Sequence, residues 1–219
     1  MSALPVLYED NHLLVVNKPA GLATMGATTG TETAVTWAAR YLKNRYQKPG
    51  NVFVGVVSRI DRLVSGVLVL ARTSKSASRL SEQLRERTTE KRYVAWVEGH
   101  LAASNWVELS DWVIKDEAFQ RMRVADESTS DAQLAKLRIR TLAHARGRTQ
   151  LSIELLSGRK HQIRLQLAHQ GHPILGDWKY DAVSKFPLGI ALHCQQMTIQ
   201  HPTRKEPLSF IAPPPDYWP

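Results

Sequence analysis

The stretch Val57-Ser58-Arg59-Ile60-Asp61-Arg62-Leu63-Val64-Ser65-Gly66-Val67-Leu68-Val69-Leu70 sets a polar segment directly against an unbroken apolar run. Val67 to Leu70 is apolar at every position rather than at alternate ones, which predicts a strand buried on both faces. Upstream, Val52-Phe53-Val54 reads the same way. The polar segment Ser58 to Ser65 interrupts that core and places one carboxylate, Asp61, between Arg59 and Arg62. Flanking cations favour the ionised carboxylate, ready to act as nucleophile or base. An Arg-Asp ion pair at an ordinary turn has the same local pattern, so the tetrapeptide alone nominates a site without defining one.

Working outward, Val6-Leu7-Tyr8 and Leu13 to Asn17 flank the turn formers Glu9-Asp10-Asn11 and predict strand, turn, strand. Apolar residues at helical spacing from Thr33 to Gln47 predict a helix stopped by Pro49-Gly50. A second helix is expected from a Ser74 cap to Arg87, with Leu80 and Leu84 inward and Arg72, Lys75, Arg79, Arg85 and Arg87 mostly outward. Downstream, short β-rich runs follow one another: Tyr93 to Val97, Trp106 to Leu109, Arg121 to Val124, Leu134 to Thr141 and Gln150 to Leu155. The charged segment Asp111 to Ser130 reads as a long surface excursion. One helix, about His161 to Gln170, ends at Gly171 in the expected C′ position. Strands near Gln196 to Gln200 and Leu208 to Ile211 precede a Pro213-Pro214-Pro215 tail expected to be extended and largely exposed. This order is α+β, with a mixed, mainly antiparallel sheet.

The 219 residues suit a single domain, whole or built as two halves around a cleft. Lysine and arginine total 29 against 20 acids, a formal net charge of +9 that favours polyanionic partners. From Arg138 to Arg164 six arginines and one lysine face the single acid Glu154. A lone cysteine, Cys194, excludes an intramolecular disulfide, fits a reducing cytoplasm and reads as a packing residue in a strand. Met1-Ser2-Ala3 shows neither a basic leader nor a long apolar stretch, so no signal peptide or membrane span is expected.

A second constellation is Ser157-Gly158-Arg159-Lys160-His161-Gln162-Ile163-Arg164, where a strand ends and a helix begins. Backbone N–H groups there, with Arg159, Lys160 and His161, form a candidate phosphate site. Arg164 stands among Ile163, Leu165 and Leu167, so burial demands a charged partner, for which Asp61 is the candidate.

These segments together resemble the RluA-type pseudouridine synthases. The resemblance is carried by Val57 to Asp61 with Ser65-Gly66, by Asp10 to Leu22, and by Lys91-Arg92-Tyr93 with Gly99. Ser157 to Arg164, Gly171 to Asp177 with Tyr180, Leu192-His193 and His201-Pro202 continue it in order. It implies the pseudouridine synthase fold, a sheet in two halves flanked by helices with a central catalytic cleft. Asp61 then matches the catalytic aspartate, Tyr93 the tyrosine that stacks on the target base, and Arg164 the arginine paired with the aspartate. Arg59 matches the residue that takes the place of the flipped base. Arg62, Lys91, Arg159, Lys160 and His161 are candidate RNA contacts, and Leu192 an apolar wall. The reaction rearranges atoms without gain or loss, so no metal or other cofactor is expected. The implied partners are structured stem-loops of tRNA or rRNA, with no membrane, no obligate protein partner and a monomeric state. Many relatives carry a small RNA-binding domain ahead of the first motif, and its absence here implies recognition by this domain alone. Ser58, Ile60, Val64, Ser157 and Gln166 depart from the usual histidine, leucine, threonine, threonine and histidine.

Two other readings compete. A metal hydrolase could draw ligands from His169, His172, His193 and Cys194, although Gly171 ends the helix between the first two and no recognised ligand spacing appears. A non-catalytic RNA-binding or RNA-folding protein would need only charge and shape.

Overall fold

The computed structural model describes residues 3–26 and 30–219; the Met1-Ser2 start on which the leader argument rests lies outside them. In chain order the elements are β1 (Val6–Glu9), β2 (Leu13–Lys18), α1 (Ala34–Arg45), β3 (Gly55–Val56), β4 (Ser65–Ala71), α2 (Ser74–Arg85) and β5 (Glu90–Glu98). There follow β6 (Val107–Asp116), β7 (Arg121–Ala125), β8 (Gln133–Ala145), β9 (Arg148–Leu155), α3 (Gln162–His169), a 3-10 turn (Trp178–Tyr180), β10 (Leu192–Gln200) and β11 (Pro207–Ile211). The class is α+β with a mixed, mainly antiparallel sheet, as expected. Two compact units divide the chain: Met1–Lys91 with Cys194–Asp216, and Arg92–His193 with Tyr217–Pro219.

In the first unit the strand order is β1-β2-β4-β10, with β11 on β10 and β3 on β4. β2 and β4 pair antiparallel from Leu13↔Ala71 to Lys18↔Gly66. Every residue of β4 is buried, which is why its run is continuously apolar. Ala34, Trp37, Ala38 and Leu42 of α1 and Leu80 of α2 are buried with them. Asp10 fixes the β1–β2 turn, its Oδ1 accepting from the His12 and Leu13 N–H at 2.7 and 2.8 Å and its Oδ2 meeting His201 Nε2 at 2.8 Å. Burial opposes charge on Asp10, but these bonds and the one from Tyr8 outweigh it and hold its pKa at about 2. Gly66 adopts φ +120°, and a Cβ there would overlap the backbone of Cys194 in β10. Glycine is what lets β4 run so close to that strand.

The second unit orders its strands β5-β9-β8-β6-β7 with antiparallel pairing throughout. Leu165 of α3 joins Val113, Met122, Ala135 and Tyr180 in one apolar cluster, so the helix packs on β6, β7 and β8. Gly171 follows the helix at φ +78°, its N–H donating to Ala168 O at 2.9 Å, the closure expected from sequence.

Four expectations need correction. Val52-Phe53-Val54 is not a strand; pairing is confined to Gly55–Val56 and Phe53 is exposed, because a triplet this short does not distinguish a core strand from a loop. Thr73, not Ser74, caps α2, its Oγ accepting from the Ser76 N–H at 3.1 Å. Arg72 points inward, with its side chain only 6% exposed; it pairs with Glu9, bonds the Asp10 carbonyl and stacks on Tyr46 at 4.6 Å. Residues 111–125 belong largely to the β6–β7 hairpin rather than to a surface excursion, since their charges alternate with the buried Val113 and Met122. In the tail, Pro213 is exposed while Pro214 and Pro215 are half-buried.

Candidate active site

Asp61 lies on the loop between β3 and β4, half-buried, with Arg59 and Arg62 exposed on either side. Ile60 and Val64 are buried and anchor the loop to the core of the first unit. The backbone of the loop is bonded at three successive places. Ile60 O accepts from Thr24 Oγ1 at 2.9 Å, Asp61 O from the Val64 N–H at 3.1 Å, and Arg62 O from the Gly21 N–H at 2.7 Å. The segment 18–24 is therefore a cradle for the backbone on either side of Asp61.

Lys18, which sequence reading did not nominate, holds that cradle from inside. Its side chain is fully buried, and Nζ donates to Pro19 O at 2.9 Å and Leu22 O at 2.7 Å. Desolvation drives its pKa down to about 7, while the negative charge of Asp61 opposes the fall. Lys18 is thus electrostatically coupled to the carboxylate it helps to place. Lys91, at the start of β5, is half-buried, and desolvation lowers its pKa against an opposing influence from Cys194.

In the second unit Arg164, 4% exposed, makes a two-pronged ion pair with Asp177, Nε to Oδ2 and Nη2 to Oδ1 both at 2.7 Å. Its guanidinium also lies 5.0 Å over the ring of buried Tyr180. Asp177, a residue quoted for the resemblance, is thus one charged partner of the buried Arg164. Tyr180 in turn accepts from the Met122 N–H at 3.0 Å and meets His161 Nδ1 at 2.9 Å. His161 caps α3 in the left-handed region at φ 52°.

The start of α3 is wired from within. Gln162 Oε1 accepts from Ser157 Oγ at 2.9 Å and from the Arg159 N–H at 3.0 Å, while its amide donates to Lys136 O and Gln166 Oε1, both at 3.0 Å. Arg159 Nε donates to Leu134 O at 3.1 Å, and Lys160 is exposed. The structure thus brings Arg164 and His161 together on Tyr180 and sets Lys160 toward solvent. Tyr93 is buried in β5 opposite Ile153 of β9, and Leu192 is buried at the start of β10. Of the histidines raised as metal ligands, His172 Nδ1 meets Glu98 O at 2.8 Å and His169 Nε2 stands 4.0 Å from Asp111. Among the described residues no three His, Cys, Asp or Glu side chains form a metal-binding group, and no helix is long and apolar enough to cross a membrane.

A pinned carboxylate loop in one unit, and a buried arginine framed by carboxylate and tyrosine in the other, define an α+β protein whose polar chemistry is concentrated in a few fixed side chains. Residues 12–169 match the family described as RNA pseudouridylate synthase, and the chain belongs to that family. It is 35% identical, over 97% of its length, to ribosomal large subunit pseudouridine synthase D of Xanthomonas campestris and 33% identical, also over 97%, to that of Xylella fastidiosa. Over 96% of its length it is 33% identical to the uncharacterized RNA pseudouridine synthase YhcT of Bacillus subtilis. The chain spans 66% of the first two relatives and 68% of the third. Human RNA pseudouridylate synthase domain containing 4 shares the fold, with a TM-score of 0.78 and 22% identity over 97% of this chain and 89% of that one.

Proposed function

We propose that this chain is an RNA pseudouridine synthase that converts uridine into pseudouridine in structured RNA, with Asp61 as its catalytic carboxylate. The observation that carries this reading is a single family match over residues 12–169 that contains, in order, the pinned Asp61 loop, Tyr93 and Arg164. The reaction breaks the bond from uracil N1 to ribose C1′ and joins C5 to C1′; the proton lost from C5 is balanced by the one gained at N1. Asp61 acts as nucleophile or base in that exchange. A backbone held at residues 60, 61 and 62 suits it, because a carboxylate already in position loses little freedom on reaching the reacting atom.

In this reading Tyr93 stacks on the target base, Arg164 serves as the partner of the aspartate, and Arg59 replaces the everted base in the RNA stack. Eversion costs roughly a few kcal/mol, which stacking and cationic contacts must offset. Arg62, Lys91, Arg159, Lys160 and His161 contribute those cations, and Leu192 an apolar wall. The net charge of +9 supports a polyanionic partner. We take the protein to act as a monomer on tRNA or rRNA stem-loops, and the names of the relatives make large-subunit ribosomal RNA the first substrate to test.

The test compares wild-type protein with Asp61→Asn on transcripts and on total RNA, mapping pseudouridine chemically and measuring affinity separately. Pseudouridine formation is expected to vanish in Asp61→Asn, while RNA affinity stays within about tenfold, or about 1.4 kcal/mol. Wild-type protein that binds RNA but makes no pseudouridine anywhere in total RNA would make this chain a binding or folding protein instead.

A further inference from the structure

The β6–β7 hairpin carries a feature that its turn does not require. Its loop, residues 117–120, exposes Phe119 by 70%, although the turn itself is formed by the Phe119 N–H donating to Asp116 Oδ1 at 3.2 Å. Across from it, the 3-10 turn buries Tyr180 but exposes Trp178 by 59%. The two are held on one frame. Lys179 Nζ donates to Gln120 O at 2.7 Å, Arg121 Nη1 to Lys179 O at 3.2 Å, and the Met122 N–H to Tyr180 Oη at 3.0 Å. Arg121 also lies 5.6 Å over the Phe119 ring and 3.3 Å from Asp181. Folding gains nothing from leaving two large aromatic rings in water, and two of them tied to one frame form a candidate binding surface.

Charge indicates the partner. Lys115 holds the Glu117 carboxyl below its usual range, and Lys160 adds to that lowering, so the positive field of Lys160 reaches the hairpin loop. The ammonium of Lys179 is bonded to the Gln120 carbonyl, and Arg123 is exposed in β7. Protein interfaces are depleted in lysine, whereas single-stranded nucleic acid is bound by aromatic rings set among cations.

We propose that Phe119 and Trp178 form a stacking platform for unpaired bases of RNA, with Arg121, Lys160 and Lys179 engaging the adjoining phosphates. This rests on the proposed action on RNA and adds to it a preference for single-stranded segments, read by two rings that the reaction itself does not use.

Fluorescent oligouridylate of about 12 nucleotides and an RNA duplex of the same length serve as probes, with affinity read by anisotropy at one salt concentration. Phe119→Ala and Trp178→Ala are each expected to weaken oligouridylate binding about fivefold or more, the equivalent of losing one stacked base, and duplex binding less than about twofold. Phe119→Tyr and Trp178→Phe should restore it, separating stacking from a disturbed fold. Equal losses on both RNAs, unchanged affinity in the double alanine variant, or no oligouridylate binding by the wild type would each overturn the platform; unchanged RNA affinity would leave the two rings to a protein partner. An active wild type with an indifferent double variant sinks only the platform. A wild type that makes no pseudouridine, yet loses oligouridylate affinity on Phe119→Ala, sinks only the proposed reaction.

Discussion

Replacing Lys18 with methionine keeps the length of the side chain and removes its charge, which makes the pH dependence of stability a direct readout of how Lys18 is buried. The ordinary lysine pKa of 10.5 applies in the unfolded chain, and in the fold it falls to about 7. Between these values the unfolded state binds more protons than the folded one, so stability rises with pH across the window from about 7 to 10.5. The full span is roughly 5 kcal/mol, and the part between pH 7 and pH 9 is about 2 kcal/mol. Urea unfolding of wild type and Lys18→Met should therefore diverge by about 2 kcal/mol over that interval, the wild type gaining relative to the variant. The bonds to Pro19 and Leu22 are lost in methionine at every pH, so they shift the difference without tilting it. Lysine NMR gives a second readout: one side-chain signal titrating near pH 7, absent in Lys18→Met. Because the Asp61 charge opposes the fall, Asp61→Asn should move that signal to still lower pH. Parallel stability curves would refute the burial argument, and a signal that ignores Asp61→Asn would refute the coupling.

Asp177→Asn leaves the guanidinium of Arg164 facing a neutral amide in a site only 4% and 1% exposed, and is expected to destabilise the protein by about 3 kcal/mol in urea unfolding. A change under about 1 kcal/mol would mean that the pair contributes little to holding Arg164. Gly66→Ala forces a Cβ against the Cys194 backbone at φ +120° and should lower stability by at least about 2 kcal/mol, measured the same way; a loss within about 0.5 kcal/mol would show that β4 and β10 can separate without penalty.

Much of the architecture is legible in the chain because it follows from continuous or periodic apolar patterns. Val67 to Leu70 announces β4, and the spacing from Val35 to Leu42 announces α1. The lapses have specific causes. A lysine reads as a surface residue unless its surroundings are known, so Lys18 escaped notice although it ends a strand whose first four residues are buried. The need of Arg164 for a charged partner was legible, but nothing local marks Asp177, thirteen residues away, as one of its carboxylates; only the fold brings the two to 2.7 Å. Asp61 stood out through its two arginine neighbours, whereas the hydrogen bonds from Gly21 and Thr24 that fix its loop depend on long-range contact.

The departures from the family pattern become intelligible on the same footing. At Val64 the usual threonine hydroxyl is absent, yet the contact closing the Asp61 turn is a backbone bond from the Val64 N–H, and the side chain is buried where an apolar group fits. Ser157 retains the hydroxyl that bonds Gln162 at 2.9 Å and accepts from the Lys136 N–H at 2.8 Å, so losing a methyl leaves that wiring intact. Gln166, where histidine is frequent, is fully buried, donates to Asp111 at 2.7 Å and accepts from Gln162 at 3.0 Å. An amide supplies two donors and an acceptor without titrating, and Gln166 uses both donors, to Asp111 and to Ala135 O, whereas a neutral imidazole has one of each. At these three positions the substitution falls where the backbone or an equivalent polar atom makes the contact, so the scaffold around Asp61 and Arg164 can hold its shape while the side chains that build it vary.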